Sequence, residues 1–433
     1  MANILNFCNG SIKVGYERRM WLKTCSFGIF VGAGSRNENP EENGIAHFIE
    51  HMLFKGTKKR TAYDIAREAD SMGANVNAYT SKTNTVFYIS GLQKNLENYM
   101  ELMSDMLYNS TFNEEEIERE RGVVLEEIKM YDDDGESLCS DLLAEKYFEG
   151  DPLARPILGT EETVKRFNAD MIRDFMKRFY YPQNIFLVYV GPATSDEICE
   201  LVEKYFAPNI GFKGYSHYET VAPIEFTKPS PKQIFVTKTD KPFEQANIQI
   251  RFPSYGIEDK KFEAAGAGAT LLGSGMSSRL FQKIREEKGL VYEIYSTSTS
   301  IKGTGYINIC FATAPDLTSV AVQAIREAIE EIKKDGFTEE EFLKIKTQRE
   351  SAVVYSEEGT FEEMCVIGRN YCLTGKIITS RKLYERFDKL TLDDINKIFN
   401  KVFDYEKAAV CYVGKPIEEN LLELLKSGGK INE

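Results

Sequence analysis

The sequence predicts an α+β fold of two homologous modules, each an antiparallel-rich β-sheet packed with helices. Three observations carry that reading. The chain echoes itself: "STFNEEEIERERGVVLEE" from Ser110 is answered by "DGFTEEEFLKIKTQRESA" from Asp335, with Phe112 falling on Phe337 at an offset of 225 residues. "NIFLVYVGPA" from Asn184 is answered by "KAAVCYVGKP" from Lys407 at an offset of 223. Two matches in one order at nearly one offset indicate a duplication with halves of about 215 residues. Within each half, strands alternate with helices and meet at hairpin-like turns, which favours α+β over a doubly wound parallel sheet. Between the echoes, Lys228-Pro229-Ser230-Pro231-Lys232 reads as an extended linker. The expected organisation is a first module over 1–222, a linker over 223–232 and a second module over 233–433.

Composition narrows the function. Of the 433 residues, 42% are hydrophobic and 28% charged, enough apolar surface for a core and unlike a disordered chain. The formal net charge of −13 argues against a nucleic-acid partner and suits basic or neutral ones. No stretch approaches the roughly 20 apolar residues of a membrane span; the uncharged run Thr24–Ser35 is short and holds three glycines. The eight cysteines (Cys8, Cys25, Cys139, Cys199, Cys310, Cys365, Cys372 and Cys411) form no CxxC pair and read as small core hydrophobes. The start, Met1–Val14, resembles neither a secretory signal nor an Arg- and Ser-rich presequence. A reducing bacterial cytoplasm is the expected location.

Taken along the chain, the first informative element is the segment Ile45–Phe54, where only His47, Glu50 and His51 are polar. On a helix these three fall within an arc of about 100°. Burying two imidazoles and a carboxylate without partners costs several kcal/mol. A shared metal resolves this: histidines at i and i+4 face one ion, and HxxEH is the inverse of the commoner HExxH zinc signature. The alternative is a pair of core histidines bonded to carbonyls with Glu50 as counter-charge. Histidine scarcity weighs against it, since His217 is the only other one, in a Gly- and Tyr-rich loop that reads as solvated.

"NVNAYTSKTNTVFYISG" from Asn75 predicts two strands around a polar turn at Ser81-Lys82-Thr83-Asn84. Leu96, Tyr99, Met100, Met103, Met106 and Leu107 share a helix face. Asn113 reads as the N-cap of the next helix, with Glu116 completing a capping box and Ile117, Val124, Ile128 and Tyr131 marking its buried face. Glu120 and Glu127 fall on or beside that face, about two turns apart. Glu114, Glu115, Glu118 and Glu126 read as a solvated acidic face. A catalytic zinc needs a third protein ligand and an open position. Either Glu120 or Glu127 can supply the ligand, and Arg121 stands near enough to pair with one of them. "NIFLVYVG" reads as a buried strand. Gly273-Ser274-Gly275 is not a phosphate loop, because no Lys-Ser/Thr follows.

"GIAHFIEHMLFKGT" (44–57), "GANVNAYTSKTNTVFY" (73–88) and "ERERGVVLEEI" (118–128) resemble the pitrilysin, or insulinase, family of zinc peptidases. The likeness is to the branch of the mitochondrial processing peptidase β subunit and its bacterial relatives, and it covers nearly the whole chain. It implies the metallohydrolase fold of the LuxS and mitochondrial-processing-peptidase type. It also implies one zinc ion per chain on His47, His51 and Glu127, with Glu50 as general base and Glu120 as a carboxylate oriented towards the ligands. "LLGSGMSSRLFQKIREEKGLVYEIYS" (271–296) resembles the family's second module, and Arg285 and Tyr292 would contact the substrate near the scissile bond. The repeat positions of Glu120 and Glu127 are Ile345 and Ala352, so the second half cannot hold its own zinc.

By the same resemblance, the peptide would add as a strand at Ala74–Thr80, against Ala74, Asn75, Asn77, Ala78 and Thr80. The family's active chamber is enclosed by four homologous modules. Two chains would therefore pair, as a homodimer or with a related subunit, to cut unfolded peptides or leader-like segments. The rival readings are a non-catalytic scaffold subunit, a small-molecule metal lyase and a dedicated leader peptidase for a ribosomally made peptide.

Overall fold

The computed structural model describes residues 2–7, 12–209, 228–241 and 243–428. His217 and Cys8 lie outside these residues. Two compact units emerge. Among the described residues, the first comprises those up to 128, 155–209 and 352–383; the second comprises 129–154, 228–351 and 384–428.

The first unit is built on six strands: β1 (Asn3–Phe7), β2 (Ile12–Arg18), β3 (Thr24–Val31), β4 (Asn75–Thr80), β5 (Thr85–Leu92) and β6 (Ile185–Gly191). Their order is β1-β2-β6-β3-β5-β4, antiparallel throughout except for the parallel pair β2–β6. The predicted hairpin is β4 and β5, joined by the polar turn 81–84. The second unit holds β7 (Phe235–Lys238), β8 (Ala246–Ser254), β9 (Glu293–Ile301), β10 (Thr304–Thr313) and β11 (Ala409–Val413), in the order β7-β11-β8-β10-β9. Here β7–β11 is the parallel pair. Apart from β1, the second sheet repeats the first strand for strand.

β6 explains why the compact units depart from the contiguous modules read at 1–222 and 233–433. Every residue of it is buried, so both faces of the sheet must be covered. Ile185, Leu187 and Tyr189 face the main core of the unit. Phe186, Val188 and Val190 face a second layer containing Met364 and Ile367 of the helix Phe361–Thr374. The second unit repeats this: Ala409, Cys411 and Val413 of β11 pack with Leu138, Cys139 and Leu143 of the helix Gly135–Tyr147. Each half of the sequence thus gives one helix to the other half's sheet.

The helix Leu96–Asn109 buries all six apolar residues of its predicted face. The helix Glu114–Asp133 buries Ile117, Glu120 and Val124, but Tyr131 is 38% exposed, so the buried stripe ends earlier than its periodicity suggested. Asn113 caps this helix by accepting from the Glu115 amide, while the Glu116 carboxylate pairs with Arg119. Seven described cysteines are free, four of them buried. No helix among the described residues is long and apolar enough to cross a membrane.

Candidate active site

The HxxEH segment forms the helix Ile45–Met52, which buries Ile45, Ala46, Phe48, Ile49 and Met52 around its inward side. Its N-cap is Gly44, at φ +95°, where a Cβ would come within 2.5 Å of the Leu158 carbonyl oxygen and 2.7 Å of Gly159 Cα. Only glycine fits that turn. Gly44 offers no side chain to cap the helix, and Glu38 does so instead. Its Oε2 accepts from the Gly44 amide and Asn43 Nδ2, both at 2.8 Å, and its Oε1 from the Ala46 amide at 2.9 Å. Burial pushes the Glu38 carboxyl up to about 8, against these three donors, which favour the ionised form.

One turn of the helix brings His47 and His51 together, ring centroids 4.7 Å apart. The Nε2 atoms lie 3.7 Å (His47) and 3.6 Å (His51) from the same atom, Glu127 Oε2. Ligand atoms about 2.1 Å from a tetrahedral zinc stand roughly 3.4 Å from one another, so this spacing fits one ion. His47 Nδ1 is buried without a hydrogen-bond partner, so the ring's polar engagement is through Nε2. Among the described residues, His47, His51 and Glu127 form the one group of at least three His, Cys, Asp or Glu whose ligand atoms converge within 4.8 Å. Two nitrogens and one carboxylate oxygen are a donor set suited to zinc.

Glu120 stands behind this group. Its Oε2 accepts from His51 Nδ1 at 3.1 Å, and its Oε1 is 2.7 Å from Lys55 Nζ. Holding Nδ1 leaves His51 Nε2 turned towards Glu127. Periodicity could not rank the two glutamates, but their reach separates them: Glu127 meets both Nε2 atoms and Glu120 meets the far side of one ring. Arg121 takes no part, since it pairs with Glu118 and donates to the Val164 and Phe167 carbonyls. Glu50 accepts a 2.6 Å hydrogen bond at Oε2 from the Thr80 hydroxyl, which ties the helix to the end of β4.

The electrostatics follow from burial and neighbours. Burial, with His51 nearby, takes His47 down to about 3, so it stays neutral as a ligand must. Burial would lower His51 too, but the Glu120 hydrogen bond and the carboxylates of Glu127 and Glu50 carry it above its ordinary value. Burial works to raise Glu120, yet His51 and Lys55 hold it below the usual range. Glu50 is raised, chiefly by burial, with Thr80 opposing.

Among the described residues, β4 is the last strand of its sheet and pairs only with β5. Asn75 and Asn77 are exposed along it, the Ala78 amide donates to Asn77 Oδ1, and Ala74 lies just before the strand. Arg285 and Tyr292 belong to the second unit. The Arg285 guanidinium sits 4.7 Å from the Phe281 ring and 5.9 Å from the Tyr292 ring, and Tyr292 is 71% exposed. Arg285 lies in a π-helical turn, Phe281–Glu287. Sequence reasoning missed Glu38, Lys55 and the Thr80 hydroxyl's bond to Glu50. Lys55 follows His51 by four residues but lies past the helix end at Met52, so helical periodicity did not mark it. Glu38, in an irregular run, had no signal.

Residues 13–161 match the family model described as insulinase (peptidase family M16), and residues 166–349 match the peptidase M16 inactive domain. Over 405 residues the chain is 33% identical to a Bacillus subtilis protein named an uncharacterized zinc protease, YmxG, covering 93% of this chain and 97% of that one. It is 31% identical over 393 residues to a Streptomyces coelicolor protein also named a zinc protease, covering 91% of this chain and 85% of that one. The crystal structure of a protease from Helicobacter pylori superposes with a TM-score of 0.89 over 96% of this chain and all of that one; at 22% identity it speaks to the fold. Identity above 30% along nine-tenths of the length, over a fold that carries a His-His-Glu group able to hold a metal, places the sequence: the chain belongs to the insulinase family of metallopeptidases, family M16.

Proposed function

We propose that the chain is a zinc-dependent endopeptidase that cleaves unfolded peptides or leader-like segments. The observation that carries this is the meeting of two imidazole Nε2 atoms on one Glu127 oxygen, with the Glu50 carboxylate on the same helix. His47, His51 and Glu127 would hold the zinc, which would supply Lewis acidity for hydrolysis of the peptide bond. The chain's own groups do the rest. The Thr80 hydroxyl occupies Glu50 Oε2 and holds the carboxylate in place. Glu50 Oε1 then accepts the proton of the attacking water and passes it to the leaving amine. Glu120 fixes the tautomer and angle of His51. The open edge of β4 takes the peptide as an added strand, so backbone hydrogen bonds give affinity with little sequence demand. Arg285 and the exposed Tyr292 contact the substrate, a role supported by their adjacency and by the family resemblance.

One chain carries two modules where the family's chamber needs four, which supports a homodimer whose sites are completed across subunits. Free, dispersed cysteines and bacterial relatives support a bacterial cytoplasm as the working location.

The test is mass spectrometry of a mixed peptide library incubated with the purified chain, alongside samples with a zinc chelator or with Glu50→Gln. Glu50→Gln keeps its zinc and loses about 100- to 10,000-fold in turnover, because an amide cannot take the proton. Undiminished cleavage by Glu50→Gln removes Glu50 as base. A chain with neither zinc nor cleavage is a scaffold instead. For shared sites, mixing His51→Ala with Tyr292→Phe chains restores activity; no rescue in a confirmed mixed dimer excludes sharing.

A further inference from the structure

The strongest unassigned feature is the buried carboxylate of Glu38. It is 3% exposed and lies in the loop between β3 and the HxxEH helix. All three of its hydrogen-bond donors belong to the first turn of that helix or its threshold: Asn43 Nδ2, the Gly44 amide and the Ala46 amide. The first amides of a helix have no partner within it, and its N-terminus carries partial positive charge. A carboxyl group whose two oxygens accept from these donors meets the first need whatever its charge, and in its ionised form meets the second as well. Helices capped in the ordinary way take this group from the residue just before them, as Thr61 serves the helix Ala62–Ser71 through the Asp64 amide. The HxxEH helix takes it from six residues upstream of Gly44, so the loop and the helix must be placed together.

The loop is itself held. The Arg155 guanidinium donates to the Glu38 carbonyl. The amides of Ser35 and Arg36 donate to the carbonyls of Ser81 (3.1 Å) and Lys82 (2.8 Å), in the turn that follows Thr80. The Asn43 amide nitrogen that reaches Glu38 also donates to the Pro156 carbonyl at 2.9 Å. Glu38 is therefore a fixed point against which the helix is set. The helix needs one: it is eight residues long, its entry turns through Gly44, and Ala46 directly precedes His47.

We propose that Glu38 is a positioning residue for the metal centre: by clamping the Gly44 and Ala46 amides it sets where the two imidazoles meet Glu127. This rests on the zinc-peptidase reading. It goes further in assigning the helix's placement to one remote carboxylate, and shifts of about 1 Å in such groups are enough to cost activity.

The experiment compares Glu38→Ala, Glu38→Gln and Thr61→Ala with the parent chain. It measures zinc affinity by competition with a chelating dye, kcat and KM on a cleaved peptide, and Tm. Glu38→Ala weakens zinc binding about 10- to 100-fold and lowers kcat by a similar factor, with KM within about twofold. Glu38→Gln falls between, because its single oxygen can serve one side of the clamp while its NH2 faces a donor. Thr61→Ala loses a cap of the same kind and lowers Tm without moving zinc affinity or kcat. Should Glu38→Ala not fold, the ordering of Glu38→Gln against the parent and Thr61→Ala decides alone. Parent-like zinc affinity in the Glu38 variants, or a loss matched by Thr61→Ala, overturns the proposal. A parent chain that binds zinc without cleaving any peptide refutes the peptidase reading, and the affinity comparison then still judges Glu38. A parent chain that binds no zinc refutes both.

Discussion

The two units repeat one sheet and differ in what their helices place beside it. Strand order β2-β6-β3-β5-β4 in the first is matched by β7-β11-β8-β10-β9 in the second, with the single parallel pair in the same place. After β3 comes a helix carrying two histidines and a glutamate; after β8 comes the helix Lys261–Gly273, which buries alanines, glycines and leucines. The helices Glu114–Asp133 and Glu339–Glu358 are both 20 residues long and both open on three glutamates. They part where it matters: the first buries Glu120 against His51 and Lys55, and the second buries Ile345 in an apolar core. The scaffold is indifferent to the chemistry. A few inward positions decide whether the same fold carries a His-His-Glu group able to hold a metal or a plain core.

The sharpest way to break the comparison is to give the first unit the second unit's residues. Glu127→Ala installs the residue that stands at the repeat position, Ala352. It removes the oxygen on which both Nε2 atoms converge. Zinc content after dialysis then falls from about one ion per chain to near none, and peptide cleavage falls with it. Metal analysis reads this directly, and full zinc retention means the third ligand lies elsewhere. Glu120→Ile installs the residue of Ile345. It leaves the three ligand atoms in place but frees His51 Nδ1 and strips Lys55 of its partner. The expected loss in zinc affinity or turnover is smaller, about 10- to 100-fold. If Glu120→Ile empties the site as completely as Glu127→Ala, then the division of roles between the two glutamates is wrong.

What was legible follows the same division. Three polar residues on an otherwise apolar helix pointed to a candidate metal site, because burial without partners has a large cost. The β4–β5 hairpin and the face of Leu96–Asn109 were legible because their periods are strict. The stripe through Ile117 and Val124 was extended too far, to Tyr131, because periodicity records which way a side chain points and not where the helix outruns its cover. The apolar run of β6 was legible as a buried strand, but not that Met364 and Ile367 cover one of its faces. Glu38 was invisible for a similar reason: among Glu41 and Glu42, nothing local distinguishes the carboxylate that reaches the helix from its two neighbours. Such contacts arise only when distant segments fold together.

A last comparison, read first as stability and not as zinc binding or turnover, tests whether Gly44 is there for its backbone angle alone. Gly44 and Gly275 both sit at positive φ, +95° and +83°, one at the entry to the HxxEH helix and one just past the corresponding helix of the second unit. Around Gly275 a Cβ would meet nothing within 4 Å; at Gly44 it would meet the backbone of Leu158 and Gly159 at under 3 Å. Gly275→Ala therefore costs only the left-handed conformation, about 1 kcal/mol. Gly44→Ala adds a clash with main chain that cannot rotate away, and the total is about 2–4 kcal/mol. Thermal shift of the two variants reads the difference. Equal losses mean that the Leu158–Gly159 wall yields and that backbone angle alone selects glycine at both sites. A larger loss at Gly44, accompanied by weaker zinc binding, ties the packing of the helix entry to the geometry of the histidines it leads into.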